Sequence, residues 1–96
     1  MNMLMIVCPE ARQMELRALM EKQGVHAYSE LQNVIGEGKT GKKLGTHVWP
    51  AKSVLLFTVL PPEKKESLLK AMRDYQKTLF LDESLRAFVL PAEQAL

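Results

Sequence analysis

An internal disulfide is closed to this chain. Its 96 residues contain one cysteine, Cys8, so no internal bridge can form and no CxxC metal or redox pair exists. Long apolar runs are missing as well: no stretch reaches the roughly 18 uninterrupted apolar residues of a membrane-spanning helix. The apolar start, Met1 to Val7, has no positive segment before it and runs into Pro9 and Glu10. It therefore reads as a buried strand rather than an export signal, and the chain is expected in a reducing cytoplasm. A large charge of one sign is also lacking. The net charge of +2 is too small to demand a nucleic-acid partner, and none is expected. What remains, 47% hydrophobic and 25% charged residues, is the composition of an ordered globular domain with one modest core.

Glycine is scarce everywhere but in one place. Four of the five glycines, Gly36, Gly38, Gly41 and Gly45, stand within ten positions. The charge excess sits there too. Of 13 basic and 11 acidic residues, Lys39, Lys42 and Lys43 face Glu37 alone in this segment, which leaves ten of each sign to balance elsewhere.

The flanking sequence reads as alternating elements. Met3 to Cys8 is a short apolar strand stopped by Pro9. Pro9 and Glu10 suit the first turn of a helix, and Glu10 to Gln23 is rich in helix formers, with Gly24 placed to end it. Val25 to Ile35 alternates with a period of two, a strand with Val25, Ala27, Ser29, Leu31 and Ile35 on one side. Ser53 to Leu60 is a β-branched, apolar strand ended by Pro61 and Pro62. Glu63 to Leu79 carries a helical stripe of Leu68, Met72, Tyr75 and Leu79. Leu85 to Leu90 is a last strand before Pro91. The order β-α-β-β-α-β predicts an α+β, ferredoxin-like domain over residues 1–96: a four-stranded antiparallel sheet with both helices on one face.

Such a sheet should be apolar on one side only. Here Val54, Leu56 and Leu60 oppose Leu55, Phe57 and Val59, and Met3, Met5 and Val7 oppose Leu4, Ile6 and Cys8. Two helices cover one face. The other predicts a symmetric homo-oligomer packed through the sheets.

The glycine and lysine segment passes for two phosphate motifs and satisfies neither. Gly36, Gly38 and Gly41 match G-x-G-x-x-G, but Lys42 to Pro50 is a poor helix and no acidic residue stands about 20 positions on. Gly36, Gly41 and Lys42 nearly spell a P-loop, but Lys43 replaces the hydroxyl residue that would hold magnesium. A connection of about 15 residues is nonetheless long for a compact domain. Glycines let backbone N–H groups close on a ligand and lysines attract an anion. Gly36, Gly38, Lys39, Gly41, Lys42 and Lys43 are therefore the candidate ligand residues, and His47 and Trp49 the candidate partner-contacting ones. Cys8, His26 and His47 form no ligand spacing, so no metal site is expected. No catalytic constellation is visible; Asp82 and Glu83 read as solvated neighbours.

The chain resembles the PII signal-transduction family in element order and spacing. The likeness is sharpest at Val34-Ile35-Gly36-Glu37-Gly38-Lys39-Thr40-Gly41, similar to the family's entry into its long T-loop, and at the Pro62-Glu63 helix start. The resemblance implies a non-enzymatic signalling protein, a ferredoxin-like homotrimer that binds adenine nucleotide between subunits and touches a regulated partner through the T-loop. Three departures qualify it. Gln76 to Ser84, where the family has a second glycine-rich loop for ATP phosphates, has no glycine, so weak or absent ATP binding is expected. The T-loop is short and lacks the family's modifiable tyrosine. The basic C-terminal loop is missing.

Other ferredoxin-like functions fit less well. RNA-recognition modules need aromatics on the first and third strands, where only Phe57 stands. Copper chaperones need a second cysteine, and a phosphatase of this fold would need an arginine-bearing glycine loop at Pro9 and Glu10. A metal- or small-molecule-sensing module, of the CutA or amino-acid-sensing kind, is the alternative.

Overall fold

The computed structural model describes residues 1–34 and 52–96. Four strands, β1 (Asn2–Pro9), β2 (Ser29–Val34), β3 (Ser53–Leu60) and β4 (Arg86–Pro91), form one sheet in the order β2-β3-β1-β4. Every neighbouring pair is antiparallel. A 3-10 turn (Glu10–Arg12) leads into α1 (Gln13–Lys22), and α2 (Pro62–Gln76) follows β3. The ferredoxin-like order expected from the sequence is the one observed. Among the described residues no helix is long and apolar enough to cross a membrane.

The core shows why these segments fold as they do. Leu4, Ile6 and Cys8 of β1 and Val54, Leu56 and Leu60 of β3 pack against Leu16 and Met20 of α1 and Leu68 and Met72 of α2. Both helices thus lie on one face of the sheet. The α2 stripe is buried as its spacing predicts, although Leu79 joins the core from beyond the helix end. Pro62 occupies the first helical turn, where its fixed φ is preorganised and its missing N–H costs nothing.

Other departures from the sequence reading have local reasons. Helix α1 begins at Gln13, because Glu10 to Arg12 form a 3-10 turn; the Glu10 N–H donates to the Lys52 carbonyl at 3.0 Å and holds that turn against the start of β3. Strand β2 begins at Ser29, not Val25. Val25 belongs to the end of α1: Gly24, at φ 78°, donates to the Glu21 carbonyl at 3.0 Å, and Val25 donates to the Met20 carbonyl at 2.9 Å. That reversal turns the chain and buries Val25 in the core. Lys64 Nζ donates to the Gly24 carbonyl at 2.8 Å and ties the start of α2 to the same turn. Buried Thr58 then satisfies Ala27 O at 2.7 Å, in place of a strand ladder. Finally, the β2–β3 register slips between Leu31 and Val34, where Asn33 adopts φ 58°, a conformation asparagine tolerates better than most residues.

Candidate functional site

The C-terminal end of β1 gathers every element of functional interest. Pro9 pairs with Ser53, and Ser53 with Val34. The two stems of the long connection are therefore neighbours on one sheet, next to the 3-10 turn. Arg86 pairs with Val7, which brings the segment between α2 and β4 to this end as well.

That segment is clamped. Arg12 donates to Glu83 with two nitrogens, Nε to Oε2 at 2.7 Å and Nη2 to Oε1 at 2.9 Å, and with a third, Nη1, to Glu15 Oε2 at 2.9 Å. Its guanidinium lies 5.6 Å from the centroid of the Phe80 ring. Glu83 Oε1 also accepts the Phe80 N–H at 3.0 Å, and the Glu83 N–H returns a bond to the Phe80 carbonyl at 3.0 Å. Gln76 Nε2 closes the segment by donating to Leu85 O at 2.8 Å. The Arg12 bonds and the Phe80 N–H hold the Glu83 carboxyl below the ordinary range, while Glu83 and then Glu15 raise the Arg12 guanidinium further. Glu83 is thus a structural partner and not the solvated neighbour of Asp82 that adjacency suggests. Nothing local in the sequence announces a contact between residues 12 and 83.

A second constellation fastens β2 to α1. Glu30, on the helix side of β2, accepts from Gln13 Nε2 at 2.9 Å, from both Nε and Nη2 of Arg17, and from Gln32 Nε2 at 3.3 Å. Arg17, foremost, lowers the Glu30 carboxyl. Leu31 accordingly faces away from the helices and is 53% exposed, which reverses its expected sharing of a face with buried Val25. Cys8 lies beneath, and burial, with the Glu30 charge adding to it, pushes its thiol up to about 11. A buried thiol held protonated is a poor nucleophile. Exposed His26 meets Glu21, Nδ1 to Oε2 at 2.7 Å. Among the described residues no group of three or more His, Cys, Asp or Glu side chains could hold a metal.

The candidates Gly36, Gly38, Lys39, Gly41, Lys42, Lys43, His47 and Trp49 lie outside the described residues. The structure brings together Val34 and Ser53, the paired residues that flank this segment.

On the face opposite the helices the sheet is apolar at its centre, with Arg86 beside Val7 and Ser29 beside Phe57 at its margins. Register sets Met5 between Phe57 and Phe88, Met3 between Val59 and Leu90, and Val7 beside Leu55, which in turn pairs with Leu31. Phe88 is 54% exposed and Val59 45%. No described element of the chain covers this surface.

Comparison with known proteins places this geometry. The family model for nitrogen regulatory protein P-II matches residues 1–96. Among solved structures, CPII from Thiomonas intermedia bound to ADP and bicarbonate superposes with a TM-score of 0.68 at 19% identity, over 93% of this chain and 84% of that one. CPII bound to ADP, AMP and bicarbonate gives 0.68 at 15% identity, over 99% and 94%. A PII-like signalling protein from Thermus thermophilus gives 0.62 at 20% identity, over 93% and 83%. No curated protein matches the chain.

Proposed function

The chain belongs to the nitrogen regulatory protein P-II family, and from that premise we propose that it is a non-enzymatic regulatory protein, one domain over residues 1–96, that assembles as a homotrimer. Its 36–50 connection binds a small anionic ligand and, through it, a partner protein. The observation that carries the reading is the pairing of Val34 with Ser53 at the clamped end of the sheet. The segment holding four of the five glycines and the whole net charge begins and ends on that one rim. Glycines admit close backbone approach and lysines attract an anion. ADP, AMP and bicarbonate, bound by the Thiomonas proteins, are anions of the required class.

ATP suits this chain less well. The segment Gln76 to Ser84 has no glycine. Its Glu83 brings a carboxylate where a phosphate would need donors, and that carboxylate already occupies Arg12 and the Phe80 N–H. A reducing cytoplasm suits a protein whose one cysteine has no partner.

The test is calorimetry with bicarbonate, AMP, ADP and ATP on wild type and on the Lys39→Ala, Lys42→Ala, Lys43→Ala triple variant. Bicarbonate or AMP is expected to bind wild type, with affinity falling as salt rises because the Debye length shrinks from about 10 Å at 0.1 M to about 3 Å at 1 M. The triple variant should bind at least about tenfold more weakly, a loss typical of charge-assisted bonds, with its fold intact. Equal affinity and equal salt dependence in the two proteins would reduce the connection to a linker.

A further inference from the structure

Five residues, Phe80 to Ser84, separate Leu79 from Leu85, both of which pack in or against the core. Four of the five are exposed, and Glu83 is half-buried. Glu83 is also their anchor. Among the described residues, Arg12 is the one residue outside the 76–86 segment to which they are hydrogen-bonded. The Glu83 carboxylate sits as a bound anion would. Arg12 Nε and Nη2 donate to its two oxygens at 2.7 and 2.9 Å, the Phe80 N–H donates to Oε1 at 3.0 Å, and the guanidinium lies 5.6 Å from the centroid of the Phe80 ring. Paired guanidinium donors match a planar anion with two oxygens. Two further features suit this place to an anion from outside. Arg12 Nη1 donates to Glu15 Oε2 at 2.9 Å, a bond that holds the guanidinium whether or not Glu83 is there. The Tyr75 hydroxyl is buried and has no hydrogen-bond partner among the described residues. It is close enough to feel the charges of Glu15, Arg12 and Glu83, and it is a donor that Glu83 leaves unused.

We propose that Glu83 is a tethered substitute for a small planar anion, a carboxylate or bicarbonate, and that such an anion releases residues 80–84 when it takes Arg12. The tether sets the threshold. A carboxylate on a short chain competes at an effective concentration of about millimolar, so the free anion displaces it only when abundant. The apparent affinity is the intrinsic one reduced by the fraction of molecules in which Arg12 is open. The 3-10 turn that carries Arg12 is bonded to Lys52 through the Glu10 N–H. Arg12 therefore stands between the released stretch and the end of the 36–50 connection. The proposal rests on the reading of this chain as an anion-binding regulator, but its site uses no residue of that connection.

The test is NMR titration of the isotopically labelled full chain with acetate, with chloride holding the ionic strength constant, followed at the Arg12 Nε–H and the amides of residues 80–84. Glu83→Ala is expected to bind acetate at least about tenfold more tightly than wild type. Acetate should also raise its thermal midpoint more than that of wild type. Glu83→Gln keeps the volume of the side chain and should likewise bind acetate more tightly than wild type. Adding Arg12→Gln to Glu83→Ala should abolish the binding. Adding Lys39→Ala, Lys42→Ala and Lys43→Ala instead should leave it unchanged, a result that holds even where the connection proves to be a linker. Equal acetate affinity in wild type, Glu83→Ala and Glu83→Gln would overturn the proposal, as would binding that is lost with the lysines and kept without Arg12.

Discussion

Glu83 shows how one carboxylate can fix a loop that has no regular structure. Its two oxygens meet Arg12 and the Phe80 N–H, and the ionised form is the one these donors favour. A carboxyl depressed in the folded state contributes stability above its unfolded value, near 4.5, and loses it as pH falls through the lower folded value. Glu83→Gln should therefore lower the midpoint of thermal unfolding at pH 7. The difference from wild type should shrink as pH falls below about 4.5 and vanish once pH has passed through the lower folded value, where wild-type Glu83 is itself neutral. A difference of the same size at both pH values would assign the effect to packing and not to charge.

At the scale of elements, the decisive junction is the end of α1. Gly24 at φ 78° lets the chain reverse while the Glu21 and Met20 carbonyls keep their donors. A side chain there meets both the backbone penalty of the left-handed region and Lys64 Nζ, 3.4 Å from an added Cβ. Gly24→Ala should cost about 1–2 kcal/mol in chemical denaturation, with the m-value unchanged. A neutral or stabilising substitution would mean that the junction relaxes to another turn. The same junction explains why β2 starts late. The alternation of Val25, Ala27, Ser29 and Leu31 is strand-like in sequence, but the reversal uses up Val25, and Glu30 turns inward to meet Arg17 and Gln13. Periodicity could not foresee that a carboxylate would face the helices, because the partners that satisfy it come from a different element.

For the molecule as a whole, the outer sheet face dominates. Met5 between Phe57 and Phe88, with Leu31, Leu55, Val59 and Leu90 around them, forms an apolar surface larger than scattered exposed side chains would make. Self-association through it is the expected outcome, and light scattering at micromolar concentration should give a trimer mass. Phe57→Asp buries an unpaired charge in that contact and should leave monomer. Val59→Lys changes a residue already 45% exposed in the single chain, so it should also dissociate the assembly while circular dichroism keeps the native spectrum. A wild-type monomer at these concentrations refutes the assembly.

The order of elements, the faces of β1 and β3, the α2 stripe and the family resemblance were legible before any fold was known. Each of these follows from spacing along the chain, and burial of regularly spaced side chains is an interaction the local pattern records. The concentration of glycine and charge at 36–50 was legible for the same reason. It took the folded chain to close Arg12 on Glu83, to gather Gln13 and Arg17 at Glu30 and to draw Val25 out of its strand. Those are meetings of residues up to 71 positions apart, and their geometry exists only once the sheet has brought the ends of four strands together.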